Sequence, residues 1–203
     1  FCYMNSDKIA VDVVLIPPDD IVQFAIGVNK TFPNTVAENY VLDFDTCIPH
    51  ISLLMGVIGR EQVLEVGRKL EMLSEKFTAL DLTITHRKIY TSSNDKVLSD
   101  LQIERTAELQ MLHESILEEL HSIFTYDDVQ KEMFFSPPAV DDLPPSWVQG
   151  FLKNSAGEKY TPHITLGVGA PKEEIGPIRF TASKLALCHL GHYCTCRKVL
   201  WST

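Results

Sequence analysis

Apolar residues recur along this chain in two rhythms, short runs of strand length and longer stretches with helical spacing. Residues 8–16 form a strand rich in Ile and Val, stopped by Pro17 and Pro18. Asp19 and Asp20 cap a predicted helix over 21–31, with Ile21, Phe24, Ala25 and Val28 on one face; Pro33 and Asn34 end it. Residues 40–44 and 48–55 read as strands, the second broken near Pro49. Val63, Val66, Leu70 and Leu73 repeat at helical spacing and predict a helix over 60–77. Strands are expected at 80–90 and 96–102 around a polar turn at 91–95. Leu109, Leu112, Ile116, Leu120 and Ile123 form the stripe of a long helix over 104–124. From 125 to 157 the pattern loosens around Pro137, Pro138, Pro144 and Pro145, with Ser146 capping a short helix through Leu152. A strand over 160–168 and a hairpin of 185–190 and 195–201 around Gly191 close the chain. This order predicts an α+β fold rather than a regular doubly wound sheet.

The 203 residues suit one large domain or two small lobes sharing a core. No apolar run approaches the roughly 18 residues of a membrane helix, so no membrane association is expected. Acidic residues outnumber basic ones, 27 to 18, with no dense Lys/Arg cluster; this argues against a long nucleic-acid duplex as partner. Five cysteines, an odd number without a secreted spacing pattern, make a reducing, cytoplasmic compartment the default. A start at Phe1 rather than Met is what processing or trimming would leave, and no signal-peptide pattern is visible. Cys188, His189, His192, Cys194 and Cys196 crowd together, but no Cys-x-x-Cys pair occurs, and alternation along a hairpin would split them between faces. No metal site and no cofactor are expected. His113 and His121 read as solvated or capping residues of the long helix, His86 as a strand-surface residue, and Trp147 as a packing residue. The acidic stretch 104–119 reads as a solvated helix face.

One internal echo carries chemistry. Pro49-His50-Ile51-Ser52-Leu53 and Pro162-His163-Ile164-Thr165-Leu166 share the pattern Pro-His-Ile-(Ser/Thr)-Leu. In a strand, alternate side chains share a face. Each copy therefore presents an imidazole and a hydroxyl to one surface, backed by Ile and Leu. Two imidazoles that titrate near neutrality can hold opposite protonation states, one taking a proton from an attacking oxygen and one delivering a proton to a leaving oxygen. The neighbouring hydroxyls, Ser52 and Thr165, suit the non-bridging oxygens of a phosphodiester transition state. The scheme requires no metal, and it does not assign which histidine is the base.

These paired His-apolar-(Ser/Thr)-apolar motifs resemble those of the 2H phosphoesterases, the superfamily that includes 2′-5′ RNA ligase-like proteins and cyclic nucleotide phosphodiesterases. The resemblance covers most of the chain, including the Tyr160-Thr161-Pro162-His163 segment. It implies a single bilobal domain over 1–203, two pseudo-symmetric α+β lobes flanking a cleft, with one motif from each. It also implies substrates with 2′,3′-cyclic phosphates or 2′-5′ linkages, so a small nucleotide or RNA end is the expected partner of a monomeric enzyme. Many relatives carry a basic residue just after the second motif, where Gly167-Val168-Gly169 stands here. Lys159 and Arg179 are the candidates to meet phosphate charge, and Tyr160 is a candidate platform for a base. Two rival readings are a non-catalytic module that binds nucleotides or RNA ends in the same cleft, and a zinc-bound interaction protein.

Overall fold

The computed structural model describes residues 7–92, 95–171 and 174–203. Cys2 and the start at Phe1 lie outside the described residues, as does the middle of the turn at 91–95. Among the described residues, eight strands and four α-helices make a mixed α+β architecture around one curled antiparallel sheet. In chain order they are β1 (Lys8–Ile16), α1 (Asp19–Asn29), β2 (Ile51–Gly59), α2 (Val63–Ser74), β3 (Leu80–Thr91) and β4 (Val97–Ile103), then α3 (Ala107–Leu120), α4 (Leu143–Ser155), β5 (His163–Val168), β6 (Ile178–Ala182), β7 (Lys184–Leu190) and β8 (Cys196–Ser202). The strand order is β6-β3-β4-β5-β2-β1-β7-β8.

That order divides at the middle. β6-β3-β4-β5 and β2-β1-β7-β8 are two four-stranded halves, each ending at the centre on a motif strand. They join where Ile51 of β2 pairs with Ile164 of β5. β1 shows how the two faces differ. Ile9, Val11, Val13 and Leu15 enter the main core with residues of α1, α2 and α3, while Ala10, Val14 and Ile16 turn to smaller apolar clusters on the opposite face. Asp12 shares that opposite face, by the alternation of a strand.

Several predicted elements differ in extent. Residues 40–44 form no strand. The Tyr40 carbonyl and the Leu42 amide are held by the buried Asn29 side chain, and Asp43 accepts the amides of Asp45, Thr46 and Cys47. With those groups engaged locally, no ladder can form. The loose stretch contains the 13-residue α4, whose Pro144 and Pro145 stand in the first turn, where a missing N–H costs no hydrogen bond. Ser146 lies inside this helix rather than at its cap, its hydroxyl donating to the Leu143 carbonyl. β6 was not anticipated; its five residues follow a Gly-Pro step and pair with β3 at the sheet edge. His113 is fully buried rather than solvated. Its Nδ1–H donates to the Leu53 carbonyl at 2.7 Å, and Nε2 accepts the Gly157 amide at 3.0 Å. Cys188 and Cys196 form a disulfide between neighbouring strands, where unpaired thiols on separate faces were expected. Cys47 and Cys194 are free and buried. No helix among the described residues is long and apolar enough to cross a membrane.

Candidate active site

Both motif strands sit at the sheet centre with their apolar members inside. Ile51, Leu53, Ile164 and Leu166 have no exposed surface, while His50, Ser52, His163 and Thr165 are half-buried on the other face. Carrying the antiparallel Ile51–Ile164 register one residue each way sets His50 across from Thr165 and Ser52 across from His163. The two histidines are then diagonal neighbours, with backbones about 7–8 Å apart. All four side chains line one cavity of about 460 Å³.

The local backbone repeats as well. Val14 pairs with Ser52 and Val13 with Leu54, so Leu53 is an extra residue on β2. Asp100 pairs with Thr165 and Ser99 with Gly167, so Leu166 is an extra residue on β5. Each motif strand thus carries a one-residue register shift immediately after its hydroxyl. Such bulges bend a strand and re-aim its side chains. The glycines after the second motif belong to this bend. Gly167 has φ +117, and a Cβ there would lie 2.9 Å from Asn29 Nδ2; Gly169 has φ +150, and a Cβ there would meet the Phe32 ring at 2.6 Å. Asn29 Nδ2 donates at 2.8 Å to the Leu166 carbonyl, tying α1 to the motif strand. Packing and backbone conformation therefore account for Gly167 and Gly169.

Both imidazoles are oriented the same way. His50 Nδ1–H donates to the Ile48 carbonyl at 2.7 Å, and His163 Nδ1–H donates to the Thr161 carbonyl at 2.8 Å. Each bond fixes the tautomer and leaves Nε2 as the reactive nitrogen. Burial lowers the His50 pKa to about 4, the Ile48 carbonyl opposes that shift, and the His163 charge adds to it. His50 is therefore a neutral base at physiological pH.

Behind each hydroxyl stands a buried carboxyl that the motifs did not reveal. Ser52 Oγ lies 2.6 Å from Asp12 Oδ2 on the neighbouring β1, and His50 Nε2 lies 3.8 Å from the same oxygen. Asp12 has no exposed surface, its Oδ1 has no hydrogen bond of normal geometry, and burial raises its pKa to about 7 against the pull of Ser52. On the other half, Thr165 hydrogen-bonds Asp100 of the neighbouring β4. Burial raises the Asp100 pKa, while the His163 charge and the Thr165 and Tyr90 hydroxyls oppose the rise. The sequence held a signal for Asp12 alone: a lone carboxylate inside an otherwise apolar strand needs a reason to be there, whereas Asp100 sits between Ser99 and Gln102.

Aromatic side chains wall the cavity: Tyr40, Tyr90, Trp147, Phe151, Tyr160 and Tyr193. Trp147 of α4 both lines the cavity and packs against the core. Tyr160 is buried, stacked on His113 with ring centroids 4.1 Å apart, and its hydroxyl donates to the Ser52 carbonyl at 3.1 Å. It braces the first motif from behind, and burial holds its phenol far above the usual range. Lys159 and Arg179 do not line the cavity. Lys159 donates to the Lys153 carbonyl, and Arg179 projects from β6 at the sheet edge. Among the described residues, no Lys or Arg lines the cavity. Of the Cys/His cluster, Cys188 and Cys196 are bonded to each other and His189 Nε2–H donates to the Met133 carbonyl, while Cys194 reaches the cavity wall.

No protein-family model matches the sequence. No curated protein matches it either. Solved structures do match. TT0787 of Thermus thermophilus superposes with a TM-score of 0.51 at 11% identity, over 96% of each chain. A structure described as a phosphoesterase gives 0.47 at 13% identity over 96% of each chain. E. coli LigT complexed with phosphate gives 0.48 at 14% identity over 98% of each chain. The likeness to TT0787 is one of fold, and it spans both halves of the sheet.

Proposed function

We propose that this chain is a phosphoesterase of the two-histidine type, acting on 2′,3′-cyclic phosphates or 2′-5′ phosphodiesters of nucleotides or short RNA ends. One observation carries the reading: the Ile51–Ile164 pairing that gathers two His-x-hydroxyl pairs on one cavity. His50, neutral with Nε2 free to accept, takes the proton from water or a 2′-hydroxyl. His163 delivers a proton to the departing oxygen. Each transfer contributes roughly 10²–10⁴ in rate. Ser52 and Thr165 hold the non-bridging oxygens. Trp147, half-buried at the cavity, offers an aromatic face to a base, whose stacking is sequence-tolerant. Both proton transfers use side chains of this chain, so a chelator should leave the rate unchanged.

The test is incubation with 2′,3′-cyclic nucleotides and separation of the products. The expected result is monophosphate formation that falls by several orders of magnitude in His50→Ala and in His163→Ala. Because His50 must be neutral to act, the acid limb of kcat/KM should lie near its pKa of about 4. Tight nucleotide binding without turnover would favour the rival reading, a binding module. Full activity in either histidine variant would end the catalytic scheme.

A further inference from the structure

Each motif hydroxyl stands beside a buried carboxyl that, when ionised, competes for its hydrogen. Ser52 carries one hydroxyl proton, and at 2.6 Å its Oγ shares one hydrogen with Asp12 Oδ2. If Asp12 is ionised, that hydrogen is the one on Ser52, since a carboxylate has none to give. Only lone pairs of Ser52 then face the cavity, and lone pairs repel an anion's oxygens. Thr165 faces Asp100 directly across the β4–β5 ladder, and its hydroxyl favours the ionised form of that carboxyl. Either hydroxyl can donate to an anion only when the carboxyl behind it supplies the hydrogen of the shared bond.

We infer that a phosphate-type anion enters this cavity together with protons that settle on Asp12 and Asp100, converting each carboxyl–hydroxyl pair from an acceptor into a donor. The inference rests on the reading of this cavity as a phosphate site and adds how that site meets the anion's charge. Each proton comes from solvent and forms an O–H bond on one carboxylate oxygen, and no bond between heavy atoms changes. The carboxyl O–H then donates to the Ser52 or Thr165 oxygen, and the released hydroxyl hydrogen points to the anion. The cost is moderated because burial disfavours the ionised form of both carboxyls. Asp12 is fully buried with a pKa of about 7, and burial also raises that of Asp100. The same step explains how a cavity whose described lining has no Lys or Arg meets an anion: it withdraws two negative charges instead of adding positive ones.

The surroundings of each carboxyl are specific. Asp12 faces His50 and Ser52 of the β2 segment, and Tyr160 and Cys194 lie within electrostatic reach. Its partner on β7 is Cys188, which is disulfide-bonded and does not titrate. Asp100 faces His163 and Thr165 of β5, Tyr90 and Lys88 of β3, and Tyr40 of the loop before β2. His50 and His163 can also take up protons when an anion binds, so the test must separate carboxyl from imidazole.

Sulfate serves as the probe, because it does not titrate in this range. Infrared difference spectra of the full chain, with and without sulfate above neutral pH, report carboxyl protonation directly. The expected result is growth of a protonated-carboxyl stretching band when sulfate binds. Sulfate affinity should weaken by up to about tenfold per pH unit for each linked proton as pH rises past the Asp12 pKa. Asp12→Asn with Asp100→Asn should abolish the band yet keep binding, with a flatter pH dependence, because an amide N–H donates to the hydroxyl as the neutral acid does. Asp12→Ala, which takes no hydrogen from Ser52, should likewise bind sulfate with a flatter pH dependence than the wild type. Sulfate binding to the wild-type chain without a carboxyl band overturns this inference and leaves the phosphate-site reading standing. Absence of sulfate binding at every pH overturns that reading and the inference together. The wild-type spectrum decides between these outcomes even where a variant does not fold.

Discussion

Replacing Asp12 by Asn should stabilise this protein, increasingly so as pH rises. Asp12 lies fully buried in β1, with its pKa raised from 3.8 to about 7, chiefly by burial. A raised folded-state pKa means that the native chain holds this proton more tightly than the unfolded chain does. Its contribution to stability is therefore fully present below 3.8 and is lost as pH climbs to about 7. At about 1.36 kcal/mol per pH unit, the gap between the two values amounts to about 4 kcal/mol of destabilisation above neutrality. His50 acts in the opposite sense. Its pKa falls from 6.5 to about 4, so stability is lost as pH drops through that window, by about 3 kcal/mol in all. Between about 4 and 6.5 the two slopes largely cancel in the wild-type chain. Asp12→Asn keeps the shape and the bond to Ser52 but cannot ionise. Urea unfolding across this pH range should show the variant gaining stability with pH up to about 6.5 while the wild-type curve stays flatter. The gap between the two curves should widen to roughly 3–5 kcal/mol above neutrality. A gap that does not change with pH, or a variant less stable than the wild type above neutrality, would refute the assignment of a strained carboxyl at this position.

Two further outcomes follow from the same contacts. Asn29→Ala leaves the Leu42 amide and the Tyr40 and Leu166 carbonyls without their partner in the interior. At about 1–3 kcal/mol per buried group left unsatisfied, with partial relaxation, a loss of roughly 3–5 kcal/mol should appear in a urea melt. A loss below about 1 kcal/mol would show that this side chain does not organise the 40–42 segment. Trp147→Ala removes a half-buried aromatic wall of the cavity. Stacking on a base is worth about 1–3 kcal/mol, so KM for a cyclic nucleotide should rise about 5–150-fold with kcat little changed. A selective fall in kcat would instead place Trp147 close to the chemistry.

The motif strands were legible because their pattern is local. Pro stops the preceding segment, Ile and Leu alternate inward, and His with a hydroxyl alternates outward, at both 49–53 and 162–166. β1 is legible as a continuous Ile/Val run buried on both faces, and α2 as an apolar stripe at helical period. Pairing between distant strands was not. Asp12 and Asp100 acquire their partners only when β1 lies beside β2 and β4 beside β5. His113 reads as a polar break in a helical stripe until the Leu53 carbonyl and Gly157 amide close around it. The predicted strand at 40–44 failed because Asn29, eleven residues away on α1, captures the backbone groups a ladder needs. The first turn of α4 was hidden by two prolines that mark a break in most contexts and a helix start in this one.

The central claim is that two imidazoles from separate halves of the sheet serve a single phosphorus. A crystal structure with vanadate in the cavity tests it most directly. The account predicts one vanadate ion, with Nε2 of His50 and Nε2 of His163 both within hydrogen-bond distance and the Ser52 and Thr165 hydroxyls on its remaining oxygens. A vanadate bound by one histidine alone, or seated outside this cavity, would contradict it.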